Sequence, residues 1–599
     1  MKIKSTLLAL LLFSVSIIFA QKAENPDNKY EVGAIKWMKM SDPGTLIVST
    51  SKGIYGIKPN ESQPAFLFDK RKNIKEENFH LQPQTPYAMF IANGMNGVTF
   101  VIDIISGKTL FDSKKEGFSF MNSRDIILPE NKLVVSGLRK SKGKIGAGYS
   151  IAVFDLATGK EEYTIPQKGS NNVTGVADII NGKLIIPRKK GIDAIDLSSG
   201  NTLWTASVKN VTSVNAKEDA IYAYQANNNG KNTTIYKVNS SGKTLWKEGN
   251  KLKGKVRQAD YLSQGIAILT DVAGKNPQSK IYFLDTNTGD DLWKKAPKTK
   301  GVVSHFYSEE DGIIFGVGSG GINKIKFDGT PLWRKPLKTG PSISTLAKTD
   351  KGILYITAKD ADIVNETTGE SVFGKKIKYK QSKAVASTFD AKNKRFLLSC
   401  SDGLYSIDGN TGKYEIIAKP KFGEKEMPSS IEMRGDNILL SSSQNMMLLD
   451  KDGKQIYHEH FKSPTKSGFM KILSGAIAVT SMAMAASSAY NAGANRSSMG
   501  RYNSYGKQMD TYSKGFSQIA GASFGAMSKR FKASAQTKND KFILTKLKSG
   551  VGLVKLDKDS GKTLKEILLK DKKPTYKVDD VERILYYKAS KSTIYAYKI

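Results

Sequence analysis

A chain of 599 residues with 39% hydrophobic and 25% charged residues is globular in composition, and it is too long for one ordinary domain unless it is a repeat array. Its formal net charge of +36 is spread along the chain and carried by 80 Lys against 12 Arg. Arg is the usual residue for forked recognition of phosphates and bases. The balance therefore indicates a solvated surface that attracts polyanions weakly, and it argues against specific nucleic-acid binding.

The first predicted element is a secretory signal peptide over residues 1–20. Lys2 and Lys4 form a basic start, Leu7 to Phe19 form a short apolar run, and Ala20 offers a small residue for cleavage before Gln21. The run is too short to be preferred as a membrane span, although a signal anchor is the alternative. No Cys lies near the cleavage point, so no lipidation site is expected. We expect a periplasmic or extracellular protein.

From residue 21 to 463, and once more in residues 539–599, the chain repeats a turn around a glycine. Most intervals between these glycines are 40 to 47 residues, a period typical of four-stranded propeller blades. The turn glycines are Gly107, Gly159, Gly200, Gly242, Gly289, Gly329, Gly369, Gly412, Gly453 and Gly561. Glycine supplies the positive φ that such a turn needs, and a preceding Asp or Asn can bond its own backbone.

The residues between two glycines fit four short strands. In the unit at 211–246, strands are predicted over Val211–Val214, Ala220–Tyr224 and Thr233–Val238, with a fourth opening at 244–246. β-Branched and aromatic residues dominate these runs, and no amphipathic helix lies between them. The fold class predicted is an all-β propeller of four-stranded blades.

An aromatic residue recurs four positions after most of the turn glycines. There it should act as a wedge between neighbouring blades, since a large ring buries roughly 150–250 Å². The predicted blade-docking residues at this position are Phe111, Tyr163, Trp204, Trp246, Trp293, Trp333, Phe373 and Tyr457, while Ile416 and Lys565 break the pattern. The fifth tryptophan, Trp37, has no blade before it and is predicted to dock as well.

The unit count and the chain ends bear on closure of the ring. Ten glycines, a degenerate unit near residues 45–70 and a closing blade give about twelve units. Two rings divided near residue 300 are the simplest interpretation, and one oversized ring is the alternative. The C-terminal blades at 539–599 stop after two strands of the last unit, so we expect the N-terminal strand to complete it and hide both sheet edges.

The turn sequence resembles the tryptophan-docking signature of the PQQ-like repeat family, Ala-x-Asp-x-x-Thr/Ser-Gly-x-x-x-Trp. One copy is formed by Ala194, Asp196, Ser199, Gly200 and Trp204. Further copies end at Trp293, without the Ala, and at Tyr163. The resemblance covers most of residues 30–463 and resumes at 540–599. It implies a quinoprotein-type β-propeller, usually eight-bladed.

The resemblance implies two different uses. Some members are dehydrogenases that hold pyrroloquinoline quinone and calcium in the central funnel, and others are cofactor-free scaffolds similar to the propeller subunit of the outer-membrane protein assembly machinery. The quinoprotein dehydrogenases carry a vicinal Cys pair, whereas this chain has the single Cys400. We therefore expect a non-enzymatic chain with no catalytic residues, no cofactor and no metal site.

Other motif matches are better explained by the repeat. Gly316–Gly321 satisfies Gly-x-Gly-x-x-Gly without a βαβ unit around it. The turns at Asp450 and Asp557 resemble the start of a calcium loop but lack the distal Glu. His458 and His460 share one face of a strand, yet no third ligand is evident nearby.

Residues 464–538 interrupt the repeat. The run from Ile472 to Asn495 is uncharged and rich in Ala, Ser, Gly and Met, which favours helix. Small residues recur at helix-contact spacing in Ser481, Ala485, Ala489, Gly493, Gly521 and Gly525. Three interpretations stay open: a packed helical hairpin, a flexible loop, and a membrane-touching or membrane-inserting hairpin with basic flanks.

The function predicted from these features is a secreted, non-catalytic scaffold that binds an envelope or secreted protein partner. The insertion would supply a dock or a membrane contact. A PQQ-dependent oxidoreductase and a binder of anionic glycan or lipid are the two alternatives.

Overall fold

The computed structural model describes residues 21–464 and 539–599, apart from residues 24, 84, 93–96, 129, 141–146, 167–170, 176, 218–219, 228 and 380–384. In this part of the chain the secondary structure consists of strands and two 3₁₀ turns, Glu76–Asn78 and Gly423–Lys425. The strands form twelve separate sheets, ten of four strands and two of three. This confirms the predicted all-β propeller and the count of about twelve units.

We number the blades in chain order. Blade 1 contains β3 Ile35–Met40, β4 Leu46–Thr50, β5 Ile54–Ile57 and β6 Phe66–Phe68, and blade 2 contains β7 Phe79–Leu81, β8 Tyr87–Ile91, β9 Thr99–Asp103 and β10 Thr109–Asp112. Blade 3 contains β11 Phe118–Ile127, β12 Lys132–Lys140, β13 Ala147–Asp155 and β14 Lys160–Pro166. Blade 4 contains β15 Asp178–Ile180, β16 Lys183–Arg188, β17 Gly191–Asp196 and β18 Thr202–Ala206. Blade 5 contains β19 Ser213–Lys217, β20 Ala220–Ala226, β21 Asn232–Asn239 and β22 Asn250–Lys253. Blade 6 contains β23 Lys255–Leu262, β24 Gly265–Val272 and β25 Gln278–Leu284, and blade 7 contains β26 Val303–Ser308, β27 Gly312–Val317 and β28 Ile322–Lys326. Blade 8 contains β29 Thr345–Thr349, β30 Gly352–Ile356, β31 Asp360–Val364 and β32 Ile377–Lys378. Blades 9 and 10 contain β33 Ala386–Asp390, β34 Arg395–Cys400, β35 Gly403–Asp408 and β36 Tyr414–Ala418; and β37 Ser430–Arg434, β38 Asn437–Ser441, β39 Asn445–Leu449 and β40 Gln455–His460.

The last two blades are completed by strands from the start of the chain. Blade 11 contains β41 Asp540–Leu547, β42 Gly550–Asp557 and β43 Thr563–Leu568, with β1 Gln21–Ala23 paired in parallel on β43. Blade 12 contains β44 Tyr576–Asp579, β45 Ile584–Lys588 and β46 Thr593–Lys598, with β2 Asn28–Glu31 antiparallel on β46. The first ten residues or so of the described chain thus reach two blades before β3 opens blade 1.

The middle strands of the blades are buried on both faces. All five residues of β30 and all five of β4 are buried, because each sheet is packed between two neighbouring sheets. Most fourth strands are more exposed; β18 exposes Thr202 and Leu203 and buries Ala206. First strands of neighbouring blades contact each other, as β15 does β19 and β33 does β37. First strands therefore line the axis, and fourth strands form the outer rim.

Twelve hydrophobic clusters join the blades in sequence. Each cluster is shared by two successive blades, and the twelfth joins blade 12 to blade 1 through Tyr30, Ile35, Tyr586 and Ile594. Together they describe one closed ring. A division near residue 300 would separate blade 6 from blade 7, whereas Phe283 and Phe315 share one cluster across that point. Of the two interpretations of the unit count, the packing is that of the single large ring.

Several predicted features lie outside the described residues. These are the signal peptide at 1–20 and the insertion beyond residue 464, with its candidate helix-contact residues Ser481, Ala485, Ala489, Gly493, Gly521 and Gly525. Among the residues that the structure describes, no helix is long and apolar enough to cross a membrane.

Candidate interaction surface

The repeated turn has a glycine of positive φ in all ten copies; its N–H bonds the carbonyl oxygen four residues back in seven copies and three residues back at Gly242, Gly329 and Gly453. The ten predicted turn glycines have φ between 71° and 89°, a backbone conformation that side-chain-bearing residues rarely adopt. In blade 4, the Asp196 carboxylate accepts hydrogen bonds from the backbone N–H groups of Ser198 (3.0 Å) and Ser199 (2.8 Å) and from both hydroxyls. These bonds lower the pKa of Asp196 to about 2. The carboxylate thus holds the turn closed.

The turn glycine of one blade is where the outer strand of the preceding blade docks. A Cβ added at Gly242 would lie 2.7 Å from the Trp204 ring, and one added at Gly289 would lie 2.4 Å from the Trp246 ring. The indole N–H of Trp204 donates to the carbonyl oxygen of Ser240, two residues before that glycine, at 2.9 Å. Glycine is therefore required at this position for two reasons: its positive φ, and the absence of a Cβ where the aromatic ring packs.

A residue of the preceding blade lies against the glycine at all ten turns, by its side chain in eight and mainly by its backbone at Leu110 and Ile417. The outer-strand residue and the glycine of the next blade are Phe66 and Gly107, Leu110 and Gly159, Tyr163 and Gly200, Trp204 and Gly242, Trp246 and Gly289, Trp293 and Gly329, Trp333 and Gly369, Val372 and Gly412, Ile417 and Gly453, and Tyr457 and Gly561. Six of the predicted docking aromatics, Tyr163, Trp204, Trp246, Trp293, Trp333 and Tyr457, are in this set.

The other three predicted docking residues also lie between neighbouring blades, but they do not contact a turn glycine. Phe111 packs edge-on against Phe154 at 5.0 Å between blades 2 and 3, and Gly159 instead faces the backbone of Leu110. Phe373 packs against Tyr414 at 4.7 Å, so Val372 meets the glycine. Trp37 lies on a first strand, where its indole N–H donates to the carbonyl oxygen of Ile74 at 2.8 Å.

The failure of the sequence motif to predict some docking residues has structural reasons. No turn glycine stands four residues before Phe66, so the motif cannot find it. Ile417 sits at a register shift between β35 and β36, which moves the docking position by one residue from Ile416. Lys565 has no glycine to meet, because blade 12 takes its outer strand from β2 and has no corresponding turn; its ammonium instead donates to the carbonyl oxygen of Lys598.

Titratable groups near the axis tie first strands together. The Asp178 carboxylate of β15 accepts a hydrogen bond from the Ala216 N–H of β19 at 2.8 Å, and burial raises its pKa to about 6. Ser308 of β26 donates to Asp260 of β23 at 2.9 Å. Burial lowers the pKa of His305 to about 4, so its ring is neutral. The two carboxylates serve contacts between blades, while His305 contacts Ser304 and Tyr307 of its own strand.

The remaining motif candidates are engaged in structure as well. Asp450 accepts hydrogen bonds from its own turn's backbone, as Asp557 does, and His458 contacts the side-chain oxygen of Asn445 at 3.1 Å. Cys400 is buried, which raises the pKa of its thiol. In the described ranges no group of three His, Cys, Asp or Glu could hold a metal ion.

A buried polar network lies where the insertion leaves and rejoins the ring. The Lys541 ammonium of β41 donates to the carbonyl oxygens of Ser442 (2.6 Å) and Asn445 (3.3 Å), and burial lowers the pKa of Lys541 to about 7. The Asn445 amide donates to Glu426 at 2.9 Å. The network fixes the joint between blades 10 and 11 on both sides of residues 465–538.

The outer rim of blades 4 to 6 exposes a repeated apolar residue. Leu203, Leu245 and Leu292 each precede a docking tryptophan, and they are 47%, 45% and 43% exposed. Because the tryptophan faces the next blade, the leucine projects from the opposite face of the outer strand. The three leucines therefore occupy one register on three successive blades, and we name them the rim leucines.

Comparisons with known proteins bear on this same region. Residues 188–345, from blade 4 to the start of blade 8, match the family model described as outer membrane protein assembly factor BamB. A comparison with curated proteins found no match.

Solved structures also show likeness. The computationally designed Ika8 protein is 14% identical, with 57% of this chain and 96% of that chain covered and a TM-score of 0.25. BamB from Moraxella catarrhalis is 13% identical, with 56% and 97% covered and a TM-score of 0.24. A eukaryotic initiation factor is 12% identical, with 69% and 95% covered and a TM-score of 0.29. The repeated glycine turn and the residues docked on it make this chain a β-propeller, and its residues 188–345 are similar to the PQQ-like repeat family.

Proposed function

We propose that the chain is a non-catalytic scaffold of the cell envelope that binds a protein partner through the outer rim of blades 4 to 6. The rim leucines carry this proposal, since three half-exposed apolar side chains at one register of a rigid ring form a surface suited to a protein partner. Blades 4 to 7 are also the part that matches the assembly-factor family, and a scaffold in envelope assembly fits that match.

The ring supplies the rigidity that a scaffold needs. The tryptophans of these blades are fixed against the next turn; Trp246 and Trp293 are 1% and 4% exposed. A leucine beside a fixed tryptophan loses little further freedom on binding, so less of the contact energy is lost to ordering. The insertion at 464–538 is a second proposed contact, with a partner or with the membrane surface.

The test is photo-crosslinking with a crosslinker placed at the exposed residue 243, two positions before Leu245, in native envelopes, followed by capture. We expect one stoichiometric partner, lost in the triple variant L203S, L245S, L292S. The matched control is L67S, I416S, I456S, whose side chains are 43%, 42% and 52% exposed on other blades. Equal capture by both variants would contradict the assignment to blades 4 to 6. A separate deletion of residues 465–538 measures what the insertion adds.

A further inference from the structure

The outer segments that follow the docking aromatics in blades 5 to 8 carry a concentration of positive charge. These segments, residues 244–253, 290–301, 330–338 and 371–378, contain three acidic residues, Glu248, Asp290 and Asp291. Their exposed basic residues, which we name the basic rim, are Lys247, Lys251, Lys253, Lys294, Lys295, Lys298, Lys300, Arg334, Lys335, Lys338, Lys375 and Lys378.

The local sequence keeps these segments exposed and, in two blades, prevents them from pairing as a fourth strand. Blades 6 and 7 have three strands, because Pro297, Pro331 and Pro336 lie where a fourth strand would run and proline cannot donate to a ladder. After each tryptophan the chain bends, and the basic residues that follow it point to solvent. Within the described residues, no member of the basic rim forms an ion pair with an acidic side chain.

Blade 3 shows that unpaired charge is not a general property of the rim. Its outer strand carries Glu161 and Glu162, and these pair with Arg139 (2.6 Å) and Lys132. Outer strands of blades 9, 10 and 11 likewise include Glu415, Glu459 and Glu566. The potential of the basic rim is therefore a local feature added to the general positive charge.

The shape and the residue types indicate what would bind. The basic rim follows the convex outer wall of the ring over four successive blades, so a flexible chain can follow it, whereas a flat bilayer would touch only part of it. Its tryptophans are covered by the next blade, which leaves no exposed indole for stacking on nucleobases. Lysines give point charges rather than forked recognition, which suits a linear polymer with regularly spaced anions.

We propose that the basic rim of blades 5 to 8 binds an acidic polysaccharide. The contact is electrostatic and multivalent, so its affinity falls steeply as salt is raised and depends on polymer length. This proposal goes beyond the protein-binding function and does not depend on it, because the rim leucines and the basic rim can be substituted separately.

The experiment uses alginate as the acidic probe and dextran as the neutral one, with the full-length protein at about 50 mM salt. The test variant is K294Q, K295Q, R334Q, K335Q. The control variant removes the same charge from exposed, unpaired lysines on other blades, K413Q, K419Q, K454Q, K562Q. We expect alginate affinity to fall at least about tenfold in the test variant and less than about threefold in the control.

Three results would overturn the proposal. One is alginate binding that is absent, or equal to dextran binding, in the wild type. Another is an equal loss of affinity in both variants, which would mean that net charge alone is at work. The third is tighter binding, lost in the test variant, to phosphatidylglycerol vesicles or to single-stranded DNA, which would assign the rim to another anion. Partner capture through the rim leucines is measured separately, so either proposal can fail alone.

Discussion

Two parts of the ring lock neighbouring blades by different means. From blade 3 to blade 8, a Tyr or Trp of each outer strand docks on the turn glycine of the next blade as far as Gly369. At the seam, where blades 11, 12 and 1 meet, no ring of the described residues meets a turn glycine, although Tyr30 of β2 is buried against blade 1 and its hydroxyl donates to the carbonyl oxygen of Glu61 in that blade's outer turn. There β1 and β2 add backbone pairing to blades 11 and 12, and the chain passes directly into β3 of blade 1.

The difference shows what a propeller joint requires. The docked blades rely on side-chain wedges, which bury a large ring against a bare backbone. At the seam the docking position holds Lys565, since blade 12 has no turn to receive a ring. Backbone pairing of β1 with β43 adds to blade 11 at that position, whereas between blades 12 and 1 the ring of Tyr30 fills the gap. At the seam, backbone pairing by the start of the chain thus acts together with one docked ring.

The largest effect is expected from the seam. Deleting residues 21–31 removes β1 and β2, leaves the edge of β46 unpaired and removes Tyr30, which is 2% exposed. We expect destabilisation of more than about 5 kcal/mol and rapid amide exchange in blades 12 and 1. Deleting residues 21–26 alone, which spares β2, should cost clearly less. An unchanged thermal midpoint for the longer deletion would contradict a closed ring.

In the docked blades, Trp246→Ala should cost about 3–5 kcal/mol, because a side chain 1% exposed leaves a cavity between blades 5 and 6. The comparison with the seam is made by Lys565→Ala, at the same repeat position, which should cost about 1 kcal/mol or less. Thermal and denaturant unfolding measure both. Similar losses for the two variants would mean that the repeat position, rather than the wedge, carries the stability.

Substitution of two glycines distinguishes the cost of backbone strain from the cost of disturbing the docked ring. Gly289→Ala combines a φ of 79° with a Cβ only 2.4 Å from the Trp246 ring, so we expect a loss of about 2–4 kcal/mol. Gly182→Ala is the matched control, since its φ is 71° and nothing lies within 4 Å of an added Cβ. Strain alone should cost about 1 kcal/mol there. If both variants lose the same amount, docking contributes nothing at the glycine.

The smallest effect is expected for the pH dependence of stability at the turn that contains Asp196. The pKa of Asp196 is lowered to about 2, so its contribution is present above the ordinary aspartate pKa and is lost as pH falls through about 2. The midpoint difference between wild type and Asp196→Ala should therefore be constant above pH about 4 and shrink below it. Asn239→Ala removes an amide with the same role in the next turn, where Lys243 N–H donates to it at 2.8 Å, and its effect should not depend on pH.

Much of the architecture could be predicted from local sequence. The turn glycines, the strands between them and the six aromatic docking residues follow from a spacing of 40 to 47 residues and from residue type. Phe66, Leu110, Val372 and Ile417 could not be predicted as docking residues. Their places depend on bulges and on the position of the next blade's turn, which no local pattern encodes.

By itself the sequence determined that the blades exist, because each needs the same tight turn, and only glycine tolerates both its φ and the ring placed against it. The tertiary structure decided that twelve blades close into one ring, that β1 and β2 lie in different blades, and that a basic rim follows blades 5 to 8. These features depend on surfaces that meet only after the blades have formed, and on contacts between residues as much as 571 positions apart, such as Asp27 and Lys598. The repeat period of the sequence does not predict such contacts.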